Sequence, residues 1–241
     1  MTVEHRNFIY LEDFGFIFAY VPKVACTNWK SLMRFMVGKQ DWLDNRLAHD
    51  KKNGGLRYLN PCLDEDLDVL NDVDLQRFAM VRDPFGRLLS AYLNKVERNL
   101  PITKERANED HFKMIVWEIE EFRKATLDLK EFPEISFEVF LLWLKDSGSW
   151  FTNDEHWASQ TKLLRQPGLQ FDFIGRFERI QEDAAFMLSE MGCEMPFPNQ
   201  SDVNFAPTNA SEKLDVYLSE RAKGLIGDLY RDDFINFDYS L

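Results

Sequence analysis

Two short stretches of this chain place cationic, hydroxyl and amide side chains where an anion can be held. The first is Val21-Pro22-Lys23-Val24-Ala25-Cys26-Thr27-Asn28-Trp29-Lys30, where an apolar run gives way to helical spacing. The first turn of a helix offers unpaired N–H groups and the positive end of the helix dipole, which together bind phosphate or sulfate. Lys23 adds a point charge, and Thr27 and Asn28 add side-chain donors or serve as the N-cap. The plainer reading is an ordinary strand-to-helix turn carrying a surface lysine. The second stretch is Val81-Arg82-Asp83-Pro84-Phe85-Gly86-Arg87-Leu88-Leu89-Ser90-Ala91-Tyr92. Arg82 stands at a strand end, and a planar guanidinium suits phosphate. Arg87 and Ser90 share a helix face, and a serine inside a helix has a hydroxyl to spare for a partner outside it. The plainer reading pairs Arg82 with Asp83 or another carboxylate and lets Ser90 pack.

Proton transfer near neutral pH points to histidine. His5 lies close to the terminus and His111 opens a polar helix, so both read as surface residues. His49, in Arg46-Leu47-Ala48-His49-Asp50, falls between the two anion stretches and is the first candidate base; a solvated loop histidine is the alternative. His156, in Asp154-Glu155-His156-Trp157, is the second, because flanking carboxylates raise its basicity; a structural or substrate-contact role competes. Glu155 is a reserve base. Arg176 and Phe177 follow a third strand, where the arginine can meet phosphate and the ring can stack on adenine or join the core. Among 21 Phe and 6 Trp, most aromatics must be core, so no tryptophan is assigned to ligand stacking.

These groups need elements to carry them. Residues 16–21, 77–81 and 170–175 read as strands, and 27–37, 109–124, 137–145, 178–191 and 212–230 as helices. Strands followed by capped helices imply one α/β domain over 1–241 with a mostly parallel central sheet flanked by helices, and its ligand site at the carboxyl ends of the strands. Stretches 95–135 and 145–170 are least committed to the sheet and are expected to shape an acceptor cleft. The acidic run Asp64–Asp68 with Asp72 and Asp74 lacks the glycine and terminal glutamate of a calcium loop and reads as a solvated face.

Composition narrows the chemistry. A net charge of −12 over 241 residues disfavours nucleic acid as a partner and weakly disfavours polyanionic substrates. The 3 cysteines fit neither a disulfide framework nor a zinc site, so a reducing compartment and no bound metal are expected. No apolar window is long enough for a membrane span and no signal peptide is evident, which predicts a cytoplasmic protein. The absence of glycine between Gly15 and Gly38, and of Gly-Lys-Ser/Thr, disfavours a Walker-type nucleotide loop.

Taken together, 21–30 and 81–92 resemble the two cofactor motifs of carbohydrate sulfotransferases related to the HNK-1 and chondroitin/dermatan 4-O-sulfotransferases. Phe-Asp-Phe-Ile-Gly-Arg-Phe-Glu at 171–178, His156-Trp157 with Gln160, and Leu-Tyr-Arg-Asp-Asp-Phe at 229–234 extend the resemblance over nearly the whole chain. It implies a P-loop-like sulfotransferase fold and 3′-phosphoadenosine 5′-phosphosulfate (PAPS) as donor, leaving 3′-phosphoadenosine 5′-phosphate (PAP). By the same resemblance, Pro22, Lys23, Val24, Ala25, Cys26, Thr27 and Asn28 hold the 5′-phosphosulfate, and Arg82 and Ser90 the 3′-phosphate. It implies in-line, metal-independent transfer to a hydroxyl, expected on a carbohydrate, with Lys23 stabilising charge and the placement of His49 resembling that of the family's catalytic histidine. Gly86 departs from the family, which often has an acidic residue there, and the anchor and lumenal disulfides of animal members are missing from the pattern. The acceptor and the oligomeric state stay open. A nucleotide-dependent phosphotransferase, or a non-catalytic module that binds nucleotide or sulfated ligand, are the alternatives.

Overall fold

The structure, a computed structural model, describes residues 7–199, 201–203 and 207–241. It divides into two compact units, each built from two separate stretches of chain: Met1–Arg82 with Gln160–Pro207, and Asp83–Ser159 with Thr208–Leu241.

The first unit carries one sheet of five strands: β1 (Phe8–Leu11), β2 (Phe16–Ala19), β3 (Arg57–Leu59), β4 (Gln76–Val81) and β5 (Phe173–Arg176), in the order β3-β1-β2-β4-β5. The centre is parallel, with Phe18 beside Phe78 and Val81 beside Arg176, as the strand-then-helix pattern requires. The β1 side is antiparallel: β1 and β2 form a hairpin through a 3-10 turn ended by Gly15 at φ 68°. Every residue of β2 is buried, the signature of a strand covered on both faces. Its ladder stops at Ala19 rather than at Val21, and β5 begins three residues later and ends one residue later than the periodicity predicts.

The helices of this unit are α1 (Cys26–Met36), α2 (Asn45–His49), α3 (Asp64–Asn71), which precede β4, and two that follow. Trp29 of α1 sits 4.8 Å from the Phe18 ring and gives its indole N–H to Met80 Sδ, fixing the helix on the sheet. The acidic run forms α3, and there the expectation of a fully solvated face needs correction. Asp66 is buried and accepts from the Asn60 backbone N–H at 2.8 Å and from Arg57, because the loop before α3 would otherwise leave that N–H without a partner.

The second unit is helical. It holds α4 (Pro84–Lys95), α5 (His111–Thr126) and α6 (Phe137–Asp146), after which the chain returns to the first unit for α7 (Gln160–Leu164), β5 and α8 (Ile180–Glu190). It comes back for α9 (Leu214–Tyr217), α10 (Glu220–Leu229) and α11 (Arg231–Asn236). Leu89, Val116, Phe140, Trp143 and Ile226 are among its fully buried core residues. The single helix expected over 212–230 is instead broken at Ser219, whose side chain caps α10 by accepting from the Ala222 N–H at 3.1 Å. A strong N-cap inside a periodic pattern restarts the helix rather than continuing it. Among the described residues no helix is long and apolar enough to cross a membrane.

Candidate active site

The carboxyl ends of β2, β4 and β5 bring the predicted residues of the first unit together. The loop from Pro22 to Ala25 has two non-glycine residues at positive φ, Lys23 at 72° and Ala25 at 50°. Such conformations cost free energy and turn successive N–H groups inward, the geometry of an anion-binding nest. Ala25, in the left-handed region, is the N-cap of α1, and no side chain caps it. The expectation that Thr27 or Asn28 caps the helix is therefore overturned, because both side chains are engaged elsewhere. Thr27 Oγ1 lies 2.9 Å from His49 Nε2, and Asn28 Nδ2 donates to the Pro198 carbonyl at 2.9 Å. No side chain therefore caps the N-terminal turn of α1. Val24 is buried and Cys26 half-buried beside it.

Arg82 is 5% exposed and braces this loop. Its Nη1 donates to the Lys23 carbonyl at 3.2 Å, and its guanidinium lies 4.3 Å from the centre of the Phe177 ring. Asp83 is occupied as the N-cap of α4, accepting from Gly86 N. Phe177 thus stacks on a cation, half-buried, instead of joining the core. Gln160, fully buried, grips Arg82 from both sides: its Oε1 accepts from Arg82 N at 2.9 Å and its Nε2 donates to Arg82 O at 2.8 Å. No sequence signal singled out this clamp, although Gln160 belonged to the family-like segment. Arg176 is half-buried at the end of β5, and its backbone N–H donates to Asp183 at 2.6 Å.

His49 ends α2 and is exposed. Asp50 gives it no orienting carboxylate, since Asp50 caps the following turn through Lys52 N, Asn53 N and Asn53 Nδ2. In the same unit Lys30, 3% exposed, lies 3.6 Å over the Tyr20 ring, and Lys51, two residues after His49, lies 5.6 Å from that ring.

The other predicted residues belong to the second unit. Ser90 Oγ is 3.0 Å from Thr208 Oγ1, so its hydroxyl does reach outside α4. Arg87, on the same face, is fully buried and structural: it donates to the Ala158 and Glu155 carbonyls. His156 Nδ1 lies 2.7 Å from Asp154 Oδ1, whose second oxygen is 3.2 Å from His111 Nε2. Burial pushes His156 below the ordinary histidine range, outweighing the Asp154 hydrogen bond that works the other way. Burial also pushes Asp154 up, but the hydrogen bonds and charge of His156, with His111, more than reverse it and hold the carboxyl at about 2. Glu155 stands beside this pair, and His111, a surface residue as expected, reaches Asp154 from the first turn of α5. His5 lies outside the described residues. Trp29, Trp143 and Trp157 are core, and Trp150 is exposed.

Carbohydrate sulfotransferase 11 of Mus musculus is 28% identical over 247 residues, covering 98% of this chain and 68% of that protein. Carbohydrate sulfotransferase 14 of Homo sapiens is 29% identical, covering 98% and 61%, and human carbohydrate sulfotransferase 9 is 27% identical, covering 96% and 53%. The chain thus spans between about half and two thirds of these relatives' length. No solved structure matches it. The family model described as the sulfotransferase family matches residues 6–240, which takes in both anion loops, every strand and the His156 segment, and the chain belongs to that family.

Proposed function

We propose that this sulfotransferase moves a sulfuryl group from PAPS to a hydroxyl of a carbohydrate, without a metal ion. The observation that carries the donor assignment is the uncapped, positively disposed loop Pro22–Asn28 braced by Arg82. Its turned-in N–H groups and the Lys23 ammonium suit the phosphosulfate end, and Arg82 beside Phe177 suits a nucleotide with a further phosphate. PAPS supplies an activated S–O bond to phosphate. In the transfer, the acceptor oxygen forms a bond to sulfur as that S–O bond breaks, and the pair leaves on the phosphate oxygen of PAP. The N–H groups of α1 and Lys23 stabilise the charge building there. His49 takes the acceptor proton; the contact of its ring with Thr27, in the first turn of α1, supports placing it at the sulfuryl end. The carbohydrate acceptor rests on the names of the relatives.

Calorimetric titration with PAP, ADP and ATP, without metal, tests the reading on the wild type and on Lys23→Ala and Arg82→Ala. The expected result is selective binding of PAP that weakens by about tenfold or more in each variant, the loss of one charge-assisted contact. Equal binding of ATP, or binding that appears only with Mg²⁺, sinks it in favour of a phosphotransferase. Transfer of labelled sulfate to unsulfated chondroitin then tests the acceptor class.

A further inference from the structure

Asp154 is placed to govern one histidine through another atom's proton. Its Oδ1 accepts both the backbone N–H of His156 at 2.9 Å and the ring Nδ1 at 2.7 Å, while Oδ2 faces His111 Nε2 at 3.2 Å. An ionised carboxylate only accepts, so the ring atom it meets must carry the proton. That leaves His156 Nε2 as a bare lone pair, and among the described residues nothing partners it. The ring is packed against its neighbours. Phe112 meets it edge-on with centroids 5.1 Å apart, and the backbone around it is pinned on three sides. Arg87 holds the Glu155 and Ala158 carbonyls, Tyr230 donates to the Trp157 carbonyl at 2.5 Å, and the Trp157 indole donates to Phe151.

We propose that Asp154 is the positioning residue that fixes His156 in the Nδ1–H form, so that Nε2 receives a hydrogen bond from a hydroxyl of the acceptor substrate. A bare ring nitrogen with a fixed tautomer discriminates by chemistry: it binds a donor such as a sugar hydroxyl and gives nothing to a carboxylate or sulfate. The groups facing the ring keep it in that state. Burial favours the neutral ring, as does Lys95 of α4, whose ammonium lies over Phe112. Asp154 and Glu155 on its own segment oppose them, and His111 of α5, reached through the shared carboxylate, dilutes the Asp154 charge. His111 and His156 come from the two stretches, 95–135 and 145–170, expected to form the acceptor cleft. The identity of the hydroxyl-bearing ligand rests on the carbohydrate reading above; the tautomer does not.

Nitrogen-15 spectra of histidine-labelled full-length protein at pH 7 test the geometry directly. Wild type should show the His156 proton on Nδ1, and Asp154→Asn, whose amide can donate, should move it toward Nε2. In sulfate transfer to chondroitin, Asp154→Asn should raise the acceptor KM by about tenfold or more while PAP affinity holds, the effect of losing one specific hydrogen bond. His156→Gln, which returns an acceptor near the Nε2 position, should keep more activity than His156→Ala. A wild-type proton on Nε2 overturns the proposal, as does a parallel loss of donor and acceptor affinity in Asp154→Asn, or equal damage from Gln and Ala at 156. Should wild type transfer nothing to chondroitin while PAP binds, it is the carbohydrate reading that fails, and the tautomer alone decides the role of Asp154.

Discussion

His156 and Asp154 make the protein's stability depend on pH in two separate windows. The folded state lowers the His156 pKa, so the unfolded chain takes up that proton first, and stability falls as pH drops below about 6.5. Asp154 is lowered to about 2, so its contribution is whole above about 4 and is lost as pH falls toward 2. Urea midpoints across pH 8 to 3 should therefore decline first near neutrality, and His156→Gln should flatten that first decline; an unchanged slope would refute it. At this scale the sequence is a partial guide. The places of Lys23 and Arg82 at strand ends were legible because charge and position at an element's end are readable along the chain, whereas the short helix that ends at His49 was not. The bridge from Asp154 to His111 was not, since it joins residues 43 positions apart that share no pattern. Arg87 and Ser90 show the converse: helical spacing puts them on one face, yet it does not tell that one is a buried clamp and the other a hydroxyl reaching Thr208.

The loop between β2 and α1 holds its strain at Ala25, where a side chain at φ 50° costs roughly 1–2 kcal/mol. Replacement by glycine removes that cost and adds about 0.4–1 kcal/mol of unfolded-state entropy, so Ala25→Gly should be neutral or slightly stabilising. Ala185→Gly, at an exposed site inside α8, should instead cost about 1 kcal/mol. Chemical denaturation of both variants checks the contrast, and PAP affinity should fall in Ala25→Gly alone, because a slack loop no longer presents its N–H groups ready-made. Equal destabilisation of the two would mean that Ala25 carries no strain. Propensity hides this feature: glycine is the residue expected at positive φ, and the loop has none. The same limits explain the missed edge of the sheet. β3 is only Arg57–Leu59, and β1 stands between charged neighbours, so neither run is long enough to declare its period. The central strands were legible because burial on both faces demands unbroken apolar runs.

At the scale of the molecule, the one-domain expectation meets two units, each made of discontinuous chain. Neither can be cut out as a continuous fragment, which predicts one cooperative transition in calorimetry and fluorescence alike; two resolved transitions would establish independent domains. The partition was not legible, because no Pro-, Gly- or Ser-rich linker marks the crossings, which fall after Arg82, Ser159 and Pro207. The paired hydrogen bonds between Arg82 and Gln160 gain meaning here. They tie the point where residues 83–159 leave the sheet-bearing unit to the point where the chain returns, so the excursion begins and ends at a closed neck. Residues 83–159 therefore leave and rejoin the sheet-bearing unit at one fixed point, so β4 and β5 keep their places in the strand order however long the chain between them runs.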